Sequence, residues 1–257
     1  MSTTPSKPVC VVTGSSSGIG AATALWFAQR GHDVVINYSR SAAPAERVAA
    51  ECRAAGADTL VMAADVSDNG QCVALAAEVK ARWGHVDTLV NSAGITTKFA
   101  DIKDLEALSA VDFEAIYRVN VIGAFQMSRA IAPLMKGRTH AAIVNISSIA
   151  GRMGTGSSIA YAASKGALNT LTLSLARALA PSIRVNAILP GMVDSDWLRK
   201  GLGPEVFEVR RQRYQGRALL DTVIDVQDVA RMAWWLASDA GKTTGQLYDL
   251  DAGFILG

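Results

Sequence analysis

Thr13-Gly14-Ser15-Ser16-Ser17-Gly18-Ile19-Gly20 is the stretch from which the fold of this chain is predicted. It follows an apolar run at 9–12 directly and leads into a helical pattern at 21–29. Glycines at such a junction permit a tight turn and let backbone N–H groups approach a pyrophosphate near the helix N-terminus. No Lys-Ser or Lys-Thr pair follows the last glycine, so the stretch is not a P-loop. Taken alone it is weak evidence, because Gly and Ser also fill purely structural turns.

Short apolar runs alternate with longer helical patterns along the rest of the chain. The further apolar runs are 34–36, 60–62, 86–90, 141–146, 183–189 and 247–250. The helical patterns between them include 44–55, 69–83, 161–179 and 226–238. Runs that are apolar on both faces are typical of buried parallel strands. The alternation predicts one α/β domain over residues 1–257, with a doubly wound parallel sheet and helices on both faces.

Residues 191–216 interrupt this alternation and predict a lid over a substrate site. They follow a predicted strand and contain a Gly-Leu-Gly-Pro turn, several charges, and Trp197 and Phe207, which we expect to be exposed. Long excursions at the carboxyl edge of a parallel sheet are where substrate lids usually lie. A surface insertion without a role is the alternative.

Composition excludes several functional classes. The chain has 257 residues, half of them hydrophobic, and its 25 Lys and Arg against 23 Asp and Glu leave a formal net charge of +2. These values exclude a disordered chain and give no electrostatic footprint for nucleic acid or an anionic membrane. No apolar stretch is long enough to span a bilayer, and residues 1–7 lack the apolar core of a signal peptide. Three cysteines without CxxC spacing favour a reducing compartment, so we expect a cytoplasmic protein, and three scattered histidines suggest no metal site.

The end of the second apolar run bears on the choice of nucleotide. The sequence there reads Asn37-Tyr38-Ser39-Arg40, without the acidic residue that usually binds both ribose hydroxyls of NAD. Asp33 lies at the other end of the run and is interpreted as a turn residue. Ser39 and Arg40 are able to bind a 2′-phosphate, so the pattern favours NADP over NAD, with NAD still possible. A solvated loop arginine is the alternative.

Two further strand ends are expected to meet the nucleotide. Asp65-Val66 follows the third apolar run, where a carboxylate and a backbone N–H are able to meet the adenine. The fourth run ends in Asn91-Ser92-Ala93-Gly94, whose small residues leave room for a ribose. Successive strand ends of one parallel sheet line one crevice. Either segment is also compatible with a simple turn.

Tyr161 and Lys165 form the candidate chemical centre. Their i, i+4 spacing places them on one helix face, where an ammonium favours the phenolate and is expected to lower the tyrosine pKa. Such tuning lets a tyrosine act as an acid or base near neutral pH. Ser148 follows the fifth apolar run and could donate to a substrate oxygen. Asn120 is a polar residue in an apolar stretch, either a satisfied core amide or a holder of water for proton transfer.

Together these motifs resemble the short-chain dehydrogenase/reductase family over essentially the whole chain. Residues 13–20 match its TGxxxGxG motif, and 91–94 match NNAG with Ser92 in place of the second Asn. Asn120, Ser148, Tyr161 and Lys165 fall at the positions of the family's catalytic tetrad. Pro190-Gly191 matches the motif that covers the nicotinamide, and Val193 and Ser195 continue it with Ser in place of the usual Thr.

The resemblance implies a Rossmann fold and a hydride transfer between a nicotinamide and a substrate carbon. In the family, the tyrosine is the general acid/base, the serine hydrogen-bonds the reacting oxygen, the lysine lowers the tyrosine pKa and binds the ribose, and the asparagine organises a relay water. It implies that nucleotide-binding residues here are Gly14, Ser16, Ser17, Gly18, Ile19, Gly20, Asn37, Tyr38, Ser39, Arg40, Asp65, Val66, Asn91, Ser92, Ala93, Gly94, Tyr161, Lys165, Pro190, Gly191, Val193 and Ser195.

The leading hypothesis is an NADP(H)-preferring oxidoreductase that transfers a hydride between the nicotinamide and a ketone or secondary alcohol. Similar family members include 3-oxoacyl-carrier-protein reductases, sugar dehydrogenases and polyketide-ketone reductases. The alternatives are an NAD(H)-dependent alcohol or sugar dehydrogenase and, in another class, a non-catalytic NADP(H)-sensing regulator.

The partner of this enzyme is expected to be a small molecule, with no nucleic acid or membrane. A carrier protein would need basic docking residues near the pocket, and the candidates are Lys136, Arg138, Arg210, Arg211 and Arg213. An exposed charged helix explains them equally well. Trp197, Leu198, Leu202 and Phe207 either line an apolar pocket or anchor the lid. By resemblance, the apolar stretches 120–134 and 161–179 and the C-terminal segment predict a homotetramer.

Overall fold

The computed structural model describes residues 7–257 and contains a parallel sheet flanked by helices. Its strands are β1 (Val9–Val12), β2 (Asp33–Tyr38), β3 (Thr59–Ala63), β4 (Thr88–Asn91), β5 (Ala142–Ile146), β6 (Arg184–Pro190), β7 (Val193–Asp194), β8 (Ile224–Asp225) and β9 (Leu247–Leu250). Its helices are α1 (Gly18–Ala28), α2 (Ala42–Ala54), α3 (Asn69–Trp83), α4 (Ala110–Tyr117), α5 (Ala124–Met135), α6 (Ala150–Met153), α7 (Ile159–Leu179), α8 (Asp196–Leu202), α9 (Pro204–Gln215) and α10 (Val226–Ser238).

The main sheet has seven strands in the order β3-β2-β1-β4-β5-β6-β9, all parallel, while β7 and β8 pair separately. The chain leaves β1 toward β2 and β3, and then returns to the other side of β1 at β4. This reversal is the switch point at which open α/β sheets bind ligands beyond the carboxyl ends of their strands. The predicted doubly wound parallel sheet is confirmed.

The core lies on both faces of the sheet. Cys10 and Val12 of β1 pack with Phe27 of α1 on one face, while Val9 and Val11 pack into a second cluster on the other. All four β1 side chains are fully buried, because successive strand residues point to opposite faces and helices cover both. This explains why the strands have no polar alternation in sequence.

The structure corrects several details of the sequence-based assignment. The helical pattern 21–29 begins at Gly18, inside the glycine-rich turn. Asp33 is not a turn residue: it is the buried first residue of β2, and its Oδ1 accepts the backbone N–H of Asp58 at 2.8 Å. The apolar stretch 120–134 is divided between α5 and a π-helical turn at Arg118–Gly123. Within the described residues, no helix is both long and apolar enough to cross a bilayer.

The predicted lid, residues 191–216, contains β7, α8 and α9. Trp197 is 43% exposed, whereas Phe207 is fully buried and therefore differs from the expectation of exposure. The Arg199 guanidinium lies over the Phe207 ring, 4.3 Å from its centroid. Phe207 of α9 therefore packs against α8, and it is not part of the cavity lining.

Candidate active site

A cavity of about 1350 Å³ lies beyond the carboxyl ends of the strands, and several residues of the segment 191–216 contribute to its lining. Most of the predicted site residues line it: Gly14, Ser16, Ser17, Gly18, Ile19, Gly20, Asn37, Ser39, Arg40, Asp65, Val66, Ser92, Ala93, Gly94, Ser148, Tyr161, Lys165, Pro190, Gly191, Val193 and Ser195. Three predicted residues, Tyr38, Asn91 and Asn120, are not in its lining. The topology thus brings residues from widely separated parts of the sequence to one crevice.

The glycine-rich turn approaches its neighbours too closely for other residues. Gly14 has a positive φ of 63°, and a Cβ there would lie 2.9 Å from the Ala93 Cα. A Cβ on Gly20 would lie 2.5 Å from the Gly14 carbonyl oxygen. The two glycines therefore let the turn fold tightly onto the loop after β4 and onto the start of α1.

The start of α1 fits the pyrophosphate of a dinucleotide. Ser17 caps the helix without any side-chain hydrogen bond to it, so the first backbone N–H groups have no internal partner. Gly18, Ile19 and Gly20 carry these groups, and all three residues line the cavity. Free N–H groups at the positive end of a helix dipole bind phosphate oxygens.

Asn37 holds the turn in place. It is buried, its Oδ1 accepts the Gly14 N–H at 3.1 Å, and its Nδ2 donates to the Ala64 carbonyl at 2.9 Å. The Asn37 backbone N–H also donates to the Ser15 hydroxyl at 2.9 Å. Through these hydrogen bonds, Asn37 links β2 to the glycine-rich turn and to the end of β3.

The end of β2 offers hydroxyl and guanidinium groups to the cavity. Ser39 and Arg40 line it, and Arg40 is exposed. Tyr38, predicted as a nucleotide contact, packs instead against the core cluster on the α1 side of the sheet. Alternation along the strand explains the difference, because Tyr38 and its neighbours point in opposite directions.

The ends of β3 and β4 provide two further parts of the lining. Asp65 accepts the Ser67 N–H at 2.9 Å in a local turn. Asn91 is buried, and its side-chain amide donates to Asn145 Oδ1 at 2.9 Å within the core. Its side chain therefore does not face the cavity, in contrast to the predicted ribose contact. Thr13 was not among the predicted site residues, and its hydroxyl accepts the N–H groups of Ser92 and Ala93, each at 3.0 Å. The sequence feature that could have pointed to Thr13 is its position as the first residue of the glycine-rich motif.

Ser148 and Lys165 both lie beside Tyr161 in the lining of the cavity. Tyr161 lies in the first turn of α7, where its N–H donates to the capping Ser158 hydroxyl at 3.1 Å. Lys165 is buried, and its Nζ donates to the Ile146 carbonyl at 2.8 Å and lies 5.5 Å from the Tyr161 ring centroid. The Ser148 hydroxyl accepts the Ala150 N–H at 3.1 Å. The end of β5 and one face of α7 thus supply a hydroxyl, a phenol and an amine.

Burial controls the titration of the two groups. Burial raises the pKa of Tyr161 to about 12, and the Ser148 hydroxyl beside it acts in the opposite direction. Burial also lowers the pKa of Lys165 to about 8. The expectation that Lys165 lowers the tyrosine pKa is therefore not met in this structure. The reason is that loss of solvation, the first cause for both groups, disfavours both charged forms.

Asn120 is positioned by the π-helical turn. Its Oδ1 accepts the Ile95 N–H at 2.8 Å, and its Nδ2 donates to the Ile95 carbonyl and the Ser164 hydroxyl, each at 3.0 Å. The Ser164 hydroxyl in turn donates to the Tyr161 carbonyl at 2.7 Å. Of the two readings of Asn120, its side chain matches the satisfied core amide, and it connects the loop after β4 to the helix that carries Tyr161.

Comparison with known proteins agrees with this geometry. The family model for the short chain dehydrogenases matches residues 8–202. The chain belongs to the short-chain dehydrogenase family. As a member, it is an NAD(P)-dependent oxidoreductase that acts on C=O and CH–OH groups, as the motif resemblance implied. This chain is 34% identical to a 3-oxoacyl-[acyl-carrier-protein] reductase of Staphylococcus aureus, and the alignment covers 96% of this chain and 97% of the relative.

Two solved structures are similar over nearly their whole length. One, from Burkholderia xenovorans and provisionally described as a short-chain dehydrogenase/reductase, has 45% identity and a TM-score of 0.91, covering 99% of this chain and 100% of that chain. The other, an NAD+-bound xylitol dehydrogenase, has 29% identity and a TM-score of 0.86, covering 96% of this chain and 98% of that chain.

The substrate side of this short-chain dehydrogenase is walled by aromatic residues. The Trp197 ring lies 5.5 Å from the Phe99 ring and 6.3 Å from the Tyr161 ring, between centroids. Gly201 of α8 sits so close to Phe99 that a Cβ there would lie 2.1 Å from the ring. Leu198 and Leu202 line the cavity as well. Phe99 comes from an irregular loop, and no sequence periodicity pointed to it.

Two of the basic residues considered for docking lie away from this cavity. Arg138 forms an ion pair with Asp87 at 2.7 Å. Asp87 directly precedes β4, and Arg138 lies ahead of β5, so both are at the amino edge of the sheet. The cavity is at the carboxyl edge. Arg138 and the neighbouring Lys136 are therefore not near the pocket mouth, whereas Arg210 and Arg213 line the cavity.

Proposed function

We propose that this short-chain dehydrogenase prefers NADP(H) and interconverts a ketone and a secondary alcohol, with Tyr161 as the general acid/base. The observation that carries the proposal is the convergence of Ser148, Tyr161 and Lys165 on one cavity, whose lining also includes a helix N-terminus with free N–H groups. When bound, the nicotinamide supplies or accepts the hydride at the substrate carbon. The residues of the chain have to hold the oxygen and move its proton.

In the direction of ketone reduction, Tyr161 Oη donates a proton to the carbonyl oxygen as the carbon gains a hydride. The Ser148 hydroxyl donates a second hydrogen bond to that oxygen. A pKa of about 12 keeps Tyr161 protonated at neutral pH, as a proton donor must be. An ammonium 5.5 Å from the Tyr161 ring stabilises the negative charge left on the phenol until solvent returns a proton. Alcohol oxidation reverses these transfers and needs the tyrosinate, so it accelerates as pH rises.

The preference for NADP(H) is supported by the end of β2. Arg40 and Ser39 line the cavity there, and the strand ends without a carboxylate that would bind the ribose hydroxyls and repel a phosphate. An NAD(H)-dependent enzyme is the second candidate, and the similarity to the NAD+-bound xylitol dehydrogenase favours it. The intact set of Ser148, Tyr161 and Lys165 argues against a non-catalytic sensor.

The assembly and setting of the enzyme are part of the same proposal. We propose a homotetramer in the cytoplasm that acts on a small molecule, with residues 191–216 as the substrate lid. Exposed apolar side chains on the helices expected at subunit contacts support the tetramer: Ile122 is 45% exposed, Phe125 39% and Leu173 38%.

The test is the replacement Tyr161→Phe, assayed with a panel of ketones and both reduced cofactors. Because the phenol is the only proton donor proposed at the carbonyl, turnover should fall roughly 10²–10⁴-fold. Binding of NADPH, followed by its fluorescence, should be retained. Tyr248→Phe is the matched control, since Tyr248 packs against Trp235 away from the cavity and should keep full turnover. Reduction by Tyr161→Phe within a few-fold of the wild-type rate would contradict the assignment.

A further inference from the structure

Helix α9 carries two arginines that take no part in the ion pair within this helix. Arg211 binds Glu208 through two hydrogen bonds, at 3.0 and 3.1 Å. Within residues 7–257, neither Arg210 nor Arg213 forms an ion pair. Positions 210 and 213 are three apart and share a helix face, while 211 lies on another. The helix therefore separates a paired arginine from two unpaired ones.

The two unpaired arginines are the ones that meet the active-site cavity. Both line it, and Arg211 does not. Both also border a smaller surface groove of about 430 Å³ beside Glu205, Val206 and Val209. Both arginines are exposed, so they extend from the cavity lining to the surface of the protein. Arg210 and Arg213 thus flank its mouth.

The other charged groups near this mouth do not neutralise the pair in the structure. Arg217 donates its Nε–H to the Gly257 carbonyl at 3.0 Å and lies over the Phe254 ring. Asp101 lines the cavity from the loop after β4, where its Oδ1 accepts the Lys103 N–H at 3.0 Å. Glu205 faces the groove and not the cavity. The mouth therefore carries more positive than negative charge.

The same cavity that holds Tyr161 and the two arginines also has an apolar lining. Trp197 packs near Tyr161, and Leu198 and Leu202 continue the lining from the same helix. A substrate that fits would place its carbonyl at Tyr161, an apolar body under Trp197 and a negative group at the arginines. Guanidinium groups bind carboxylates and phosphates through planar, charge-assisted hydrogen bonds.

We propose that the substrate is an anionic ketone or alcohol, whose carboxylate or phosphate is bound by Arg210 and Arg213. This proposal rests on the proposed function, because it names the substrate class of the same site. A free small molecule is favoured over a docked carrier protein. The unpaired charge reaches the cavity lining, whereas at the surface of α9 it is accompanied by the carboxylates of Glu205 and Glu208 and by a neutralised Arg211.

Matched substrate pairs test the proposal. One arm compares 4-oxo-4-phenylbutanoate with its methyl ester, and the other compares 4-hydroxybutan-2-one phosphate with the unphosphorylated ketone. Each is assayed with NADPH in wild type, in Arg210→Gln/Arg213→Gln and in the control Arg211→Gln. In at least one arm, wild type should prefer the anion by roughly 10- to 100-fold in kcat/KM. The double variant should lose that preference through a higher KM for the anion, and Arg211→Gln should keep it.

Several results would overturn the proposal. One is equal kcat/KM for the charged and neutral members of both pairs in wild type. Another is a rise in the KM for NADPH in the double variant with the neutral ketones, because the arginines would then serve the cofactor. If no ketone is reduced at all, the proposed function fails, and calorimetric titration of the two anions into the NADP+ complex decides the inference separately. Binding that the double variant loses supports it, and absence of binding contradicts it.

Discussion

Arg40 is the residue on which the proposed cofactor preference depends. It is exposed at the cavity edge, and a charge-assisted hydrogen bond to a phosphate contributes about 1.5–3 kcal/mol. Arg40→Ala should therefore weaken NADPH by roughly 10- to 150-fold and leave NADH nearly unchanged. The measurement is kcat/KM for both cofactors. Arg47→Ala, an exposed arginine of α2 outside the cavity lining, is the control and should change neither. Equal use of both cofactors by wild type, or equal losses in Arg40→Ala, would refute the preference.

Lys165 should lower the free energy of unfolding at neutral pH, because its ammonium group is buried in the folded protein. Burial lowers its pKa from 10.5 to about 8, so at pH 7 the charged form is held in the interior at a cost of roughly 3 kcal/mol. The lost hydrogen bond to the Ile146 carbonyl offsets about 1 kcal/mol of this. Lys165→Met should thus raise the free energy of unfolding by roughly 1–2 kcal/mol at pH 7 while it abolishes turnover.

The pH dependence of this effect follows from the sign of the shift. Between pH 8 and 10.5, Lys165 is protonated in the unfolded protein and neutral in the folded protein. The free energy of unfolding of the wild type therefore rises with pH in this range. The Met variant lacks that gain, and its advantage should vanish by about pH 10. Urea unfolding of both proteins from pH 7 to 10 measures the difference. An advantage that is constant across this range would show that Lys165 is not the titrating cause.

At the scale of elements, the contact between α6 and α7 positions the reacting groups. A Cβ on Gly151 would lie 2.6 Å from the Gly166 nitrogen and 2.6 Å from the Lys165 carbonyl carbon. The obstacle is helix backbone, which is unable to rotate away as a side chain would. Glycine at 151 thus allows the segment after Ser148 to pack directly on the helix that carries Tyr161 and Lys165.

Gly151→Ala should force these two helices apart. We expect a loss of about 1–3 kcal/mol in the free energy of unfolding and a fall in kcat, because Ser148 and Tyr161 no longer share one target oxygen. Thermal unfolding and steady-state kinetics measure the two effects. Gly241→Ala is the control, since its added Cβ would meet nothing within 4 Å and its φ is not positive. If Gly151→Ala behaved like Gly241→Ala, the backbone contact would not constrain the site.

At the scale of the whole molecule, the exposed apolar side chains bear on assembly. Phe125 and Leu173 lie on α5 and α7, the helices expected at subunit contacts, and both are more than a third exposed. We expect a tetramer in sedimentation equilibrium. Phe125→Asp/Leu173→Asp should shift it to a smaller species, because a buried unpaired carboxylate is costly. Val73→Asp, on the exposed side of α3, should leave it intact. A monomeric wild-type chain would refute the tetramer.

The sequence by itself determined the order of strands and helices, the parallel sheet and the family. Apolar runs at 9–12 and 247–250 and the helical patterns 69–83 and 226–238 coincide with β1, β9, α3 and α10 to the residue. These features depend on local pattern: a strand buried on both faces has to be apolar throughout, and a helix needs its own period and caps. Motif spacing along the chain likewise made Ser148, Tyr161 and Lys165 the candidate catalytic residues, and all three line one cavity.

Only the tertiary structure decided which side chains face the cavity and how they titrate. Tyr38 and Asn91 stand in the right motifs but point into the core, because the side of a strand that faces the crevice is set by packing across the sheet. The pKa of Tyr161 moves opposite to the expectation from its spacing with Lys165, since solvation depends on what surrounds both groups. The burial of Phe207 and, among the described residues, the absence of ion pairs at Arg210 and Arg213 have no local signal either. Their environments are made by residues far away in sequence, which only the folded chain brings together.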